Sequence, residues 1–564
     1  MTQVPALELG PMLRHVGSTT ATLWMETSRP GTVEILGNPG DAAEQSSTIG
    51  TARTFTVCGQ HYALVVARDL EPGSSRTYEV TLDGQRVWPV EGFPASRIRT
   101  RSTTGDPTER TQRVVFGSCR YPPTGDPDME ASYGVDALDA YAARMLTRMR
   151  SADDAEAVAA ELPDTICLLG DQVYADDTTP RTQQWIKEHR GRTEDDGPGV
   201  EEILDYPEYA HLYSETWSDP EIRWLLSTAP VAMIFDDHDI RDDWNTSQAW
   251  RDEMAKQEWW PQRVRAGLAS YWVYQHLGNL DPDSLEDDAL YRKVIESQDD
   301  VFGLLEEHAG RVDAAVGRPE GVRWSYRWDI GRTRLLMIDS RCGRVLNDDE
   351  RLMINDETFR WIEAQSIDDP EHMDHLLLGS SIPWLMPPAV SQVQSMNERS
   401  AARGSRSAEW VRQAVDLEHW PAFRASFDRL ARLIERTAAS SSAPATVSVL
   451  SGDVHHCYAA AAQFATPTHS RVYQLTCSPV RNGVPWFMEY VFAAGWTRTM
   501  TRAARWIGRR WGVPPEPVEW DSVGGPYFGN AIATLEITGR SARVRFERST
   551  RHGDLEPISV LPLT

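Results

Sequence analysis

Hydrophobic residues follow two different rhythms along the chain. Up to about residue 90 they alternate with polar residues in short runs: Ala21-Thr-Leu-Trp-Met-Glu26, Thr32-Val-Glu-Ile-Leu36, His61-Tyr-Ala-Leu-Val-Val66 and Thr77-Tyr-Glu-Val-Thr-Leu82. Period-two alternation is the pattern of strands with one buried face. Pro72-Gly73 and Asp83-Gly84 supply turns between them. A small all-β sandwich over residues 1–96 is predicted, with no chemistry of its own.

A linker rich in Thr, Ser, Gly, Arg and Pro is expected over 97–111, and a second domain over 112–564. There the apolar residues run continuously and then stop abruptly at polar ones. Examples are Arg113-Val-Val-Phe-Gly-Ser-Cys119, Thr165-Ile-Cys-Leu-Leu-Gly-Asp171, Val231-Ala-Met-Ile-Phe-Asp-Asp-His238 and Thr446-Val-Ser-Val-Leu-Ser-Gly-Asp453. Continuous runs read as strands buried on both faces. Helical spacing over Val135–Arg150, between the first two runs, makes strand, helix, strand the natural reading. Two more strands are expected at 332–341 and 375–384, the first paired with 323–328 through Asp329-Ile-Gly331. A helical, aromatic-rich insert is expected over 244–322 as a cover for the site.

Composition narrows the function classes. The 564 residues carry 83 acids against 57 bases, a formal charge of −26. That field opposes non-specific binding to nucleic acid, and no basic tract argues for it. An anionic substrate has to be drawn in locally, by metal ions or arginines. No window reaches the ~20 apolar residues of a spanning helix, no signal segment is visible, and the six cysteines lack disulfide spacing. A cytoplasmic, reduced protein is the expectation.

Ligands in open α/β sheets sit beyond the carboxyl ends of strands. Four strand ends here offer metal-type ligands: Cys119, then Asp171 with Tyr174, then Asp236-Asp237-His238-Asp239, then Asp453 with His455. Each alone is weak, since a Gly-Asp pair is usually a turn. Four in succession are harder to explain structurally.

Gly-Ser-Cys119, Gly-Asp171-Gln-Val-Tyr174, Asp236-Asp-His-Asp239, Ile338-Asp-Ser-Arg341 and Ser451-Gly-Asp-Val-His455 together resemble the PhoD-like (alkaline phosphatase D) family of calcineurin-like metallophosphoesterases. The resemblance spans about 113–456. It implies an α/β fold, a four-layer α/β/β/α sandwich, behind a β-sandwich that resembles immunoglobulin and fibronectin domains. It also implies hydrolysis of phosphate mono- or diesters by a metal-bound hydroxide in a multi-metal site. A first metal, ferric iron in the family, would be held by Cys119, Asp171, Tyr174 and His455. Asp171 would bridge to a second, which also takes Asp237 and Asp453. Thiolate, phenolate and imidazole suit a transition metal, whereas aspartates suit a calcium-like cation. Asp236, Asp239, Asp242, Asp243 and Asn245 are candidates for a further ion. His238 matches the histidine beside the reacting phosphate, and Arg120 and Arg341 are candidate phosphate clamps. The alternative is a catalytically inactive, metal-stabilised binding module.

Two smaller expectations concern single features. Leu70-Glu-Pro-Gly-Ser-Ser-Arg-Thr-Tyr78 resembles a tyrosine corner, so Tyr78 should bond back within the sandwich. Over 486–511, Arg498, Arg502, Arg505 and Arg509 form a stripe at i, i+4, i+7 and i+11. An interfacial helix on anionic lipid is one reading of it. Net charge favours the other, a lid helix whose arginines pair with the acidic body.

Overall fold

In the computed structural model, which describes residues 5–38, 46–102, 110–190, 197–318, 322–347, 350–483 and 486–564, the alternating segments form two antiparallel sheets. One has the order Leu7–Val16, Ala21–Thr27, Gln60–Ala67, Phe55–Val57. The other has the order Ser47–Arg53, Thr32–Asn38, Ser75–Leu82, Gln85–Trp88, with Arg97–Arg99 paired to Ser75–Leu82. Residues 103–109 of the expected linker lie outside the described residues.

Alternation works on both faces of the first sheet. Leu23, Met25, Ala63 and Val65 fill the sandwich. Their alternates Trp24, Tyr62 and Leu64 join the same core as the strands of the larger region. The sandwich is therefore a wall of the larger core. Tyr78 follows suit: its hydroxyl donates to the carbonyl of Ser227, at 2.7 Å, in the helix Pro220–Thr228. This corrects the tyrosine-corner expectation, because the buried hydroxyl finds its acceptor across the interface and not in its own sheet.

The larger region holds two sheets. The first has the order Val231–Ile234, Thr165–Leu169, Gln112–Gly117, Ala531–Thr538, Ser541–Ser549, Leu555–Pro562, with its first three strands parallel. In the second, Thr333–Ile338, His375–Ser380, Thr446–Ser451 and Arg471–Thr476 run parallel, flanked by antiparallel Tyr326–Ile330, Cys457–Phe464 and Val518–Tyr527. Helix Ala137–Ser151 lies on the first sheet, and Asp356–Ile367 and Arg424–Ala439 on the second. All the strands with candidate ligands at their carboxyl ends belong to the parallel parts, so those ends are gathered along one edge of each sheet.

The insert ties the sandwich to the strand Val231–Ile234. Arg14 is fully buried, with Nε donating to the Val231 carbonyl and the other nitrogens to the carbonyls of Tyr274 and Gln275 and the side chain of Asn279. Burial lowers its pKa to about 10. Carbonyl dipoles hold the charge in place of a carboxylate, fixing the strand that leads into Asp236 and Asp237.

Glu26, 8% exposed, accepts a 3.0 Å hydrogen bond from the Tyr274 hydroxyl at the same junction. Burial raises its pKa to about 8. A carboxyl with a raised folded-state pKa stabilises fully below its unfolded value and loses that contribution as pH rises through the folded value. Glu26→Gln is accordingly expected to match the parent's melting temperature near pH 4 and to exceed it at pH 9. The gain should be on the order of 5 kcal/mol, as read from thermal melts at the two pH values.

Candidate active site

At the Gly-Asp motifs the two sheets approach each other closely. A β-carbon on Gly452 would stand 1.9 Å from Ser118 Oγ, and one on Gly170 (φ +103) 2.6 Å from Asp236 Cβ. Only glycine lets the turns approach this closely. The residues that follow are held in the left-handed region: Cys119 (φ 57), Asp171 (φ 50), Asp453 (φ 68) and His455 (φ 48). With Asp243 and Asn245 they make six of the eleven non-glycine residues with positive φ among those described. Strain of this kind persists where surrounding structure fixes a functional geometry.

Among the described residues, Asp171, Asp236 and Asp237 form the group whose ligand atoms all lie within 4.8 Å of one another. Asp171 Oδ1, Asp236 Oδ2 and Asp237 Oδ1 are buried and accept no hydrogen bond. Asp237 Oδ1 does lie 3.1 Å from Arg341 Nη2, an ion-pair distance without hydrogen-bond geometry. Burial and then neighbouring acids raise the Asp171 carboxyl well above the usual range, and the same holds for Asp237 despite Arg341. Three clustered carboxylates, each with a buried oxygen that accepts no hydrogen bond, match the needs of a hard cation. Asp236, expected only as an auxiliary, is a member of this group. Cys119 and His455 do not join this trio at that distance.

Cys119 is fully buried, with its sulfur 3.1 Å from Ser118 Oγ and accepting from Ser478 Oγ at 3.2 Å. The hydroxyls favour a thiolate, but burial, then Asp171 and Asp453, push its pKa well up. The thiolate becomes tenable once a cation shares the space. Tyr174 accepts a 2.8 Å hydrogen bond from Asn482, and its phenol is raised by burial, then by Cys119 and Asp171. His455 is held neutral by burial, its pKa lowered to about 4, a state fit to ligate. Asp453 Oδ2 is paired with His419 Nε2 at 2.7 Å, which overrides burial and keeps the carboxyl low. His456 turns away and stacks on Phe492 at 4.3 Å.

His238 has its Nδ1 2.9 Å from Asp176 Oδ1, leaving Nε2 towards the more open side, 3.8 Å from Asp242. Burial alone would lower its pKa, but Asp176, followed by Asp171 and Asp237, holds it well above the ordinary value.

The remaining expectations are corrected. Arg120 is no phosphate clamp: its guanidinium is buried, paired with Asp136 at 2.6 Å and donating to the Thr216 carbonyl at 2.6 Å. Arg341 is fully buried among Asp236, Asp237 and Glu418, so it aligns the carboxylates. An acid-rich interior captured both guanidiniums. Asp239 is not a spare ligand, since Oδ2 accepts from the backbone of Asp171 and Asp236 and Oδ1 from Gln275 of the insert. Asn245 is engaged by Arg251 and by the Arg341 carbonyl. A separate cleft of about 850 Å³, lined by His15, Arg101, His276 and Asp329, contains none of the strand-end residues.

Comparison with known families bears on the identity of the chain. The PhoD-like phosphatase family model matches residues 153–505, well over half of the chain. The chain belongs to the PhoD-like phosphatase family. It is a phosphatase-type hydrolase, and the family is metal-dependent. A domain of unknown function matches residues 4–100. No curated protein matches the chain. Among solved structures, "Structure of PhoD" is 12% identical, covers 100% of this chain and 90% of that one, and has a TM-score of 0.57, which shows the shared fold. The sensor domain of the anti-sigma factor RsgI4 in Pseudobacteroides cellulosolvens, 10% identical, covers 18% of this chain and 93% of that one with a TM-score of 0.14 and carries no argument. Among the described residues of this PhoD-like phosphatase, no helix is long and apolar enough to cross a membrane.

Proposed function

We propose that the chain hydrolyses phosphate mono- or diesters at the strand-end site with the help of two kinds of cation. The reading rests on Asp171, Asp236 and Asp237, whose buried, unpartnered oxygens suit a hard cation such as calcium. Cys119, Tyr174 and His455, sharing Asp171, are the donor set for ferric iron. Asp453 completes the acidic side. When bound, such cations lower the pKa of water and neutralise charge on a phosphate.

This chain's own residues do the rest. Arg341 and Glu418 lock Asp236 and Asp237 in place, and Asp239 fixes the turns that carry Asp171 and Asp236. Asp176 accepts the Nδ1 proton of His238, which leaves the Nε2 proton for the departing alkoxide. Hydrolysis of p-nitrophenyl phosphate and bis(p-nitrophenyl) phosphate tests the proposal. Turnover of at least one, abolished by chelation and restored by added iron and calcium, is expected. No turnover of either by the metal-loaded protein favours the binding-module alternative.

A further inference from the structure

The arginine stripe does not do what net charge suggested. In helix Arg498–Trp511, Arg505 pairs with Glu516 at 3.1 Å. Arg498, Arg502, Arg509 and Arg510 have no ion pair among the described residues, and Arg510 stacks over the Trp506 ring at 4.0 Å. The lid reading, with arginines neutralised by the acidic body, is therefore corrected.

The same helix exposes apolar bulk. Met500, Trp506, Ile507 and Trp511 are exposed, as are Tyr490 and Val491 of the preceding helix Trp486–Gly495. These are six of the fourteen exposed large hydrophobics among the described residues, gathered within 22 positions. At helical spacing, Met500, Ile507 and Trp511 fall on one line, and Arg498, Arg502 and Arg509 on another about 180° away. Between these lines on one side, Ala504 and Gly508 are buried and seat the helix on Pro388–Ala401, where a β-carbon at Gly508 would meet Gln392 at 2.6 Å. The opposite side faces outward.

We propose that this helix pair docks the enzyme on an anionic lipid surface. Five arginines against one acid, Glu489, invert the sign of a protein whose total charge is −26. An anionic bilayer repels the rest of the molecule and attracts this patch, so charge alone sets the orientation. Interfacial helices bury an apolar face at the headgroup boundary while basic residues meet the lipid phosphates, and tryptophan is at home at that depth. The helix, 14 residues or roughly 21 Å, lies on such a surface and does not cross it. A second copy of the chain fits less well, because a two-fold contact would bring like arginine lines together. The first helix of the pair packs back on the turn that carries His455, through Phe492 stacked on His456.

Vesicle flotation of the full chain tests the proposal. Binding is expected to vesicles of phosphatidylcholine with about one-third phosphatidylglycerol, at least about tenfold weaker to phosphatidylcholine alone, and suppressed by about 0.5 M salt. The variants Trp506→Ser/Trp511→Ser and Arg502→Glu/Arg509→Glu should each lose about tenfold or more of that binding. Both should hydrolyse a soluble p-nitrophenyl ester as the parent does, which certifies their fold and separates docking from catalysis. Absence of flotation by the parent, or unchanged flotation in both variants, overturns the proposal. So does sedimentation analysis showing a concentration-dependent dimer, lost in the variants, without vesicle binding.

Discussion

Replacement of Asp171 by asparagine is expected to abolish hydrolysis while leaving the metal-free protein more stable than the parent. Asparagine has the same shape and is at home in the left-handed region, so the φ of 50° at this position is kept, as is the backbone hydrogen bond to Asp239. What disappears is a buried acid whose Oδ1 has no partner and whose ionisation is opposed by burial and by Asp236, Asp239 and Asp453. Removing even an outer partner of a metal ligand costs roughly 10- to 100-fold, and Asp171 is assigned to both cations. A loss well beyond 100-fold and reduced content of both metals should appear together. Removing an acid that folding must bury against its preference to ionise should raise the melting temperature of the chelated variant at neutral pH. Retained activity, or a metal-free variant that melts lower, would mean that Asp171 is structural.

Replacement of His238 by alanine should separate substrates by their leaving groups. An alkoxide leaves poorly unless protonated, and general acid catalysis contributes about 10²- to 10⁴-fold. Loss of that size is expected with alkyl phosphate esters, and a much smaller one with p-nitrophenyl esters, whose leaving group departs without a proton. Metal content should be unchanged. Asp176→Asn, which removes the acceptor 2.9 Å from Nδ1, should show the same selectivity in weaker form. Its carboxyl is pulled down to about 2 by His238 against the opposing effect of burial. Equal losses on both substrate types would assign His238 to binding rather than proton donation.

The strands and the residues at their ends were legible because a continuous apolar run that stops at a glycine and an acid is a local pattern. Asp171 and Asp453 sit at such stops, and Asp237 follows an apolar run that ends directly in two acids. The partners that make those residues work were not legible. His419 and Glu418 come from a loop before Trp420–Ala422 with no strand behind it, and the tertiary fold alone brings them to Asp453 and Arg341. Asp176 lay in plain view two residues after Tyr174, but nothing local says it faces His238. Arg120 and Arg341 misled because sequence supplies a guanidinium near acids without saying whether it is paired inward. Tyr78 misled in the same way, its hydroxyl finding Ser227 in a different layer. The arginine stripe shows the reverse failure: net charge predicted pairing, and packing left three of its four arginines without an ion pair among the described residues.

The central claim is that the strand ends hold a transition metal beside a hard cation, with Asp171 between them. Anomalous X-ray scattering from crystals of the protein as isolated, recorded on both sides of the iron absorption edge, tests it directly. An iron peak flanked by Cys119, Tyr174 and Asp171 is predicted, with a lighter cation against Asp171, Asp236 and Asp237 that lacks the iron edge. Metal-replete crystals with no anomalous peak at these residues, or with one metal type on both sides of Asp171, would contradict it.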